Sequence, residues 1–407
     1  MASFLQSKKT SSPKASVLFT YQRVRFILVA LLIKKISLEN FRSYPKKEFE
    51  FTERVNLVVG PNTAGKSNLL EAIFLLAFGK SPRADLDREM VRSENSDQRP
   101  EISKFAFVRG VVSGSDDRDL EVVLTESGKR FRVNGIGRRL ADFSQHFHVV
   151  LFSPEDLNLV IGSPDLRRRF MDFALGSVDP AYSHAATEFD QVRKRRNRLL
   201  EQINQNAASE EELGFWDAKF LEHGVLLQDK RKEFFDEINL QLMTERQRVI
   251  SATERERGQH LQLGYVPSGL TAERLSELRP REIAAETSLI GPHRDDFEFK
   301  SVAGSQEPVV GRDLAAFGSR GEQRRAVLAL KEAELRFVEK RIENRPVLLL
   351  DDIFSELDEE NRARVFDLIG EGHGPRSLGE VGQTIITTTD LNHVPAELQK
   401  NLQIIQL

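Results

Sequence analysis

The chain has 407 residues, room for two or three domains, with 40% apolar and 30% charged residues, the balance of an ordinary helix-rich globular protein. It contains no cysteine, which excludes disulfides and thiolate metal sites and fits a reducing compartment without proving one. A net charge of −3 excludes a globally basic nucleic-acid binder, so any such surface has to be local.

Residues 1–31 differ in character from the rest of the chain. They carry Ser, Lys and Thr and run into F-I-L-V-A-L-L-I at 26–33, an apolar stretch far too short to span a bilayer. Lys34 and Lys35 come directly after it, with no small-residue cleavage site. The end of the run reads as the start of the first strand. The remainder is expected to be a disordered extension or the product of an upstream start codon.

From Leu32 the chain reads as strands, first I-K-K-I-S-L-E-N-F-R-S-Y and then the alternating K-E-F-E-F. Next comes V-N-L-V-V, a buried strand, then G-P-N-T-A-G-K-S, then N-L-L-E-A-I-F-L-L-A-F, a buried helix. The middle piece fits G-x-x-x-x-G-K-[ST] with Gly60, Gly65, Lys66 and Ser67 at the fixed positions. Strand, glycine loop and helix form the setting a phosphate needs. The loop turns successive N–H groups into one concavity, and the helix adds its positive end. Lys66 is then placed for the β- and γ-phosphates and Ser67 for Mg²⁺.

A set of antiparallel strands comes next: K-F-A-F-V-R-G-V-V, D-L-E-V-V-L-T and K-R-F-R-V-N-G, with Asn134-Gly135 as a hairpin signal, then a buried strand at 149–152. At Ser163 the pattern changes. S-P-D supplies an N-cap and an N1 proline. From there to about Glu286 the signal is helical, with helices expected at 180–205 and 213–257. This reads as a hairpin inserted into the α/β part. Its basic run of Arg193, Lys194, Arg195, Arg196 and Arg198 is either a phosphate-gripping surface or a solvated helix face.

The α/β pattern returns at Leu289. G-P-H-R-D-D leads into F-E-F, and a second glycine turn, F-G-S-R-G-E-Q, opens a long helix to about Glu339. Then R-P-V-L-L-L-D-D is a buried strand ending in two carboxylates, the place where Mg²⁺ is held beside a glycine loop. I-F-S-E-L-D succeeds it, and T-I-I-T-T-T-D is the last strand expected.

From about Leu32 to its end the chain resembles the RecF family, recombination mediators of the SMC-like branch of the ABC ATPases. The resemblance rests on N-F-R-S-Y, G-P-N-T-A-G-K-S-N-L-L-E-A, L-F-S-P-E-D-L, G-S-P-D-L-R-R-R-F-M-D, G-P-H-R-D-D, G-S-R-G-E-Q-R-R and L-L-L-D-D-I-F-S-E-L-D. The glycine loop says only nucleotide; L-F-S-P-E-D-L and G-P-H-R-D-D are far more specific. It implies a two-lobed, ABC-type P-loop ATPase head of the α/β class, at 32–160 and 286–407, with an inserted α-helical arm at 161–285.

By that resemblance Gly60, Pro61, Asn62, Thr63, Ala64, Gly65, Lys66 and Ser67, closed by Asn68, are the Walker A loop. Ser319, Arg320, Gly321 and Glu322 are the signature that completes the site of an opposite subunit. Asp351 holds Mg²⁺ through water, with Ser67. Asp352 stands where most ABC ATPases carry a glutamate base, and Ser355 and Asp358 belong to the D-loop. Two places depart from the general pattern. T-T-T-D, without a histidine, occupies the switch position, leaving Thr389 or Asp390 as substitutes, and no plain Q-loop glutamine is visible, leaving Glu155.

Lengths weigh against the other classes. A transporter subunit would bring its signature nearer the glycine loop, a full SMC protein would have much longer arms, and a Toprim fusion would need a further domain. A small-molecule kinase would not need the second glycine turn. The family reading implies ATP and Mg²⁺ as cofactors, slow DNA-stimulated hydrolysis, and ATP-dependent homodimerisation on single-stranded, gapped or double-stranded DNA. It also implies a RecR-like partner, recombinase loading at gaps, and a cytoplasmic, nucleoid-associated location. The alternative is a structural DNA clamp that binds ATP and hardly hydrolyses it.

Overall fold

Apolar segments scattered along the whole chain meet in one sheet. The computed structural model describes residues 31–94, 101–102, 105–114, 116–244, 259–303, 311–369, 382–391, 394 and 402–407. In chain order the strands among them are β1 Leu32–Phe41, β2 Tyr44–Glu50, β3 Val55–Val59, the two-residue β4 Ser93–Glu94 and β5 Glu101–Ile102, and β6 Phe105–Ser113. They continue with β7 Arg118–Thr125, β8 Gly128–Val133, β9 Ile136–Arg138, β10 Val149–Phe152, β11 Gln259–Val266 and β12 Asp296–Ala303. The last four are β13 Arg312–Asp313, β14 Val347–Asp351, β15 Thr384–Thr388 and β16 Leu402–Gln406.

The central sheet has the order β10-β14-β15-β3-β16, parallel at every pairing. Its strands are near-continuous apolar runs because both faces are covered. Alternation then sorts the residues into two cores. Leu57, Val150, Leu348, Leu350 and Ile386 face one; Val58, Val149, Val347, Leu349 and Ile385 face the other.

The second of these cores is roofed by the antiparallel sheet β2-β1-β6-β7-β8-β9. Between the two sheets lies the helix Lys66–Phe78, buried almost all round, as its unbroken apolar composition requires. The first core lies under the helices Pro164–Gly176 and Arg320–Ile342 and the base of a helical pair, Pro180–Asn204 and Leu213–Thr244. Two lobes thus share one parallel sheet as their wall.

The stretch 161–285, read as helical, is not wholly so. β11 lies within it and pairs antiparallel with β12 through all eight residues, in a small sheet β11-β12-β13. The helical pair also shares its base with the head, where Phe234 meets Phe337 edge-on at 4.8 Å. Only its far end has a separate core, built on Leu199, Leu200, Ile203 and Leu213. The extension expected at 1–31 lies outside the described residues except for Leu31, as does 245–257 of the second expected helix. Among the described residues no helix is long and apolar enough to cross a membrane.

Candidate functional site

The glycine loop leaves the C-terminal end of β3 and enters the helix Lys66–Phe78. Thr63 and Gly65 take positive φ, 71° and 103°. At Gly65 a side chain is excluded twice over, since a Cβ would come within 2.8 Å of Ser43 Oγ and Tyr44 Oη. Tyr44 donates to the Gly65 carbonyl at 3.0 Å, so β2 braces the loop. Lys66 is buried and donates to the carbonyls of Gly60 (2.8 Å) and Pro61 (2.9 Å). Those acceptors are neutral, so the ammonium can leave them for a phosphate.

β14 ends in Asp351, two strands from the loop, with β15 between. Asp351 Oδ1 accepts from Ser67 (3.0 Å) and from Thr387 (2.6 Å), tying three strand ends together. Asp352 has φ 47°, a region that costs a non-glycine residue about 1 kcal/mol or more and recurs at functional sites. It is pinned there by its own N–H, which donates to Thr387 Oγ1 at 3.1 Å. Ser355 donates to the Asp352 carbonyl at 2.8 Å, and Asp358 caps the next helix through the Asn361 N–H at 2.9 Å.

Under the loop a carboxylate holds two guanidinium groups. Glu71, one turn after Ser67, takes two bonds from Arg42 (2.7 and 2.9 Å), one from Arg83 (2.7 Å) and one from Ser81 (2.6 Å). Burial pushes its carboxyl up, but the bonds from Arg42 and Ser81 and the charges of both arginines outweigh that and hold it low. Arg83 also donates to the Ser67 carbonyl and to Asn68 Oδ1, and the Asn68 amide donates to Ser43. Asn68 therefore fastens the loop to its surroundings.

A cavity of about 120 Å³ opens beside Ser67 and Asp351, and Glu155 and Arg83 line it. Glu155 sits on the single turn Pro154–Leu157 after β10, set by a Ser153–Asp156 capping box. The far wall is Lys331 and Glu334, an ion pair on the helix Arg320–Ile342. Lys331 lies over the rings of Phe152 (5.7 Å) and Phe170 (5.4 Å). Burial would lower its pKa, but Glu334 and Asp156 beside it raise it.

Ser319 does not line this cavity. It caps the helix Arg320–Ile342 from the surface, accepting from the Glu322 N–H (3.3 Å) while Glu322 Oε2 accepts its own N–H (2.7 Å). Arg320 and Ser319 are exposed and Gly321 is half-buried. Neither switch candidate reaches Asp351. Thr389 is half-buried, Asp390 is exposed, and the contact is made two residues earlier by Thr387.

The basic run on the arm needs a correction. Arg196 is fully buried and bonds Asp217 (2.7 Å), Glu282 (2.6 Å) and Ser288 (2.8 Å), so it cannot touch a phosphate. Arg193 and Lys194 are both paired with Asp190, and Arg195 lies over the Trp216 ring at 5.4 Å. With exposed Arg198 the run keeps four cations at or near the surface against the single carboxylate of Asp190. Sequence reasoning missed Thr387, Glu71, Arg42, Arg83 and Lys331. T-T-T-D held the signal for the first, but only strand register selects among three threonines.

The model of the RecF/RecN/SMC N-terminal domain matches residues 32–406. The DNA replication and repair protein RecF of Bacillus cereus is 33% identical over 393 residues, covering 93% of this chain and 97% of that one. The protein of the same name from Bacillus thuringiensis gives the same figures. Among solved structures, the recombination mediator protein RecF with ATP in the RecFOR pathway is 27% identical, with a TM-score of 0.75 over 91% of this chain and 95% of that one. A second structure of that protein, described as RecF-ATPrS, gives 0.74 at 28% identity over 90% and 95%. Over nearly its whole length, in sequence and in fold, this chain belongs to the RecF family of SMC-like, ABC-type ATPases.

Proposed function

We propose that this chain is an ATP-dependent DNA-binding recombination mediator that acts in DNA repair and replication-fork recovery. In this reading ATP drives it into a homodimer on single-stranded, gapped or duplex DNA. Slow hydrolysis releases it, and together with a RecR-like partner it helps load recombinase at gaps. The reading places it in the cytoplasm, associated with the nucleoid. The observation that carries the proposal is the convergence of Ser67, Asp351 and Glu155 from three separate strand ends on one cavity, with Lys66 next to Ser67 at the helix start. Kinship with proteins solved with ATP supports it.

The donor set fits Mg²⁺. Ser67 and Asp351 offer one hydroxyl and one carboxylate, hard oxygens 3.0 Å apart. Among the described residues no three His, Asp or Glu side chains cluster, and a nucleotide-borne Mg²⁺ needs only one or two protein ligands. When bound, the ion neutralises phosphate charge. The chain's own residues do the rest. Lys66 transfers from neutral carbonyls to the β- and γ-phosphates, Glu155 in the cavity wall takes the Q-loop position, and Asp352 accepts the proton of the attacking water.

Pockets that enclose a ligand run roughly 300–1,000 Å³. The cavity of about 120 Å³ is too small to enclose a nucleotide, and in this reading the site is completed by the exposed Ser319 corner of a second subunit. Lys66→Ala tests the reading. It should abolish tight ATP binding in calorimetry while circular dichroism stays that of the parent. Undiminished binding in the folded variant would remove the loop from its role.

A further inference from the structure

DNA binding by this chain requires a surface, and the arm run has lost Arg196 to burial and shares Asp190 between Arg193 and Lys194. A second run of cations sits on the first lobe. Between Glu126 and Asp142 the chain carries Lys129, Arg130, Arg132, Arg138 and Arg139 and no acidic residue. The structure folds this run into the hairpin β8–β9 at the open edge of the six-stranded sheet. We propose that the β8–β9 hairpin is a docking surface for the sugar-phosphate backbone of duplex DNA; the proposal rests on the DNA-binding reading of the chain.

Two of the five cations are paired, Lys129 with Asp87 (2.7 Å) and Arg132 with Glu121 (2.8 Å). Arg130, Arg138 and Arg139 are exposed and make no ion pair with any described residue. Their field reaches inward: after burial, the charges of Arg118 and Arg138 are what hold His146 low. Uncompensated charge of one sign destabilises a compact state, so it needs a use. Guarding a sheet edge against stray pairing is one, but either sign does that, and here all five are positive.

The hairpin is also rigid. Phe131 packs on Phe143 with centroids 5.1 Å apart, and a Cβ on Gly79 would strike both Phe131 and Leu140, so β8 and the turn after β9 are seated on the end of the glycine-loop helix. That helix has 13 residues, which at about 1.5 Å each puts the hairpin on the order of 20 Å from the phosphate loop. The surface is therefore separate from the nucleotide corner but mechanically joined to it.

The chemistry points to duplex backbone. A duplex carries one negative charge per about 1.7 Å of axis, dense enough to offer partners to Arg130, Arg138 and Arg139 together. Single strands are gripped by stacking on aromatic rings, and the exposed apolar side chain here is Ile136 at the turn, 59% exposed.

The test uses the full chain carrying Arg130→Glu, Arg138→Glu and Arg139→Glu, titrated against a fluorescent duplex over a salt series. ATP binding by calorimetry serves as the control for folding. The expected result is an affinity at least roughly tenfold weaker near 0.15 M salt, and a log–log salt slope flattened by about 2–3 units. A gentler set, Arg→Gln at the same positions, should flatten the slope similarly, which keeps the test valid if reversal disturbs folding. Parent affinity and slope in both sets would overturn the inference while leaving DNA binding intact. So would a loss confined to a Lys194→Glu, Arg195→Glu, Arg198→Glu variant. If the parent chain itself binds no DNA with or without ATP, the underlying reading falls, and the hairpin's role with it.

Discussion

Two corners of this molecule gather charge in different ways. At the nucleotide corner Lys66 rests on two backbone carbonyls and Asp351 on two hydroxyls, all neutral partners. At the root of the arm the partners are ions. Asp295 is fully buried and accepts from Arg231 (2.8 Å), Tyr265 (2.6 Å), Gln228 (2.7 Å) and the Ser268 N–H (2.8 Å). Arg231 also bonds Asp172, Tyr182 and the Pro292 carbonyl, and Arg167 grips Asp296 with two bonds. Burial would lower the Arg231 pKa, but the groups around it drive it well above its ordinary value. A charge held by neutral partners can change partner when a ligand arrives. A charge saturated by ions is a fastener. Of the two segments that gave the family resemblance its specificity, G-P-H-R-D-D lies in the fastener, where it meets G-S-P-D-L-R-R-R-F-M-D, while L-F-S-P-E-D-L lines the cavity beside Ser67 and Asp351.

The sharpest break of this contrast is a pair of substitutions that should fail in opposite assays. Asp352→Asn should leave ATP binding and thermal stability near those of the parent and slow steady-state hydrolysis by about 10²- to 10⁴-fold, the usual contribution of a general base. Hydrolysis at the parent rate sinks that role. An unmeasurable rate in the parent, with and without DNA, favours the structural clamp. Asp295→Ala should do the reverse. Leaving Arg231 buried without the one fully buried of its two carboxylate partners, and Tyr265 and Gln228 without their acceptor, should cost about 3–5 kcal/mol of unfolding free energy, read by denaturant titration. At temperatures where this variant is folded, its ATP affinity should be that of the parent. A cost under about 1 kcal/mol would show that the arm joint is not held by this network.

The same contrast explains what the sequence disclosed. Phosphate binding is local chemistry: one strand, one glycine turn and one helix start fix Lys66 and Ser67, and R-P-V-L-L-L-D-D places carboxylates at a strand end. Those strings were legible because each residue's role depends on its immediate neighbours. The arm run was not. On a helix of 3.6 residues per turn, Arg193 and Arg196 fall on the side of Phe189, Val192, Leu199 and Leu200, and a count of charges along the chain ignores that rotation. Arg196 finds its acids 21 and 86 residues away. β11 was hidden for a similar reason, since its partner β12 lies beyond an intervening helix and Gly264 weakens its strand signal. Thr387 needed the register of β15 against β14, where Asp351 stands opposite it.

The smallest expected stability effect belongs to Ser319, and it separates the two kinds of corner most finely. Within one chain its hydroxyl is a helix cap in a capping box with Glu322, so Ser319→Ala should cost typically about 1 kcal/mol, whatever else the residue does. A cap, however, has no need to lie on an open surface, and Ser319 and Arg320 are both exposed. If that corner completes a neighbour's nucleotide site, Ser319→Arg leaves each chain folded and able to bind ATP through its own Lys66, while the added cation and bulk block closure. Sedimentation with and without ATP reads this directly: the parent should dimerise on ATP, and the variant should stay monomeric and hydrolyse more slowly. Mixing it with Lys66→Ala chains sharpens the result, because each partner spoils a different half of the shared sites and at most one of two can be whole. An ATP-dependent dimer that persists in Ser319→Arg at the same concentrations returns the serine to a cap and confines the nucleotide chemistry to a single chain.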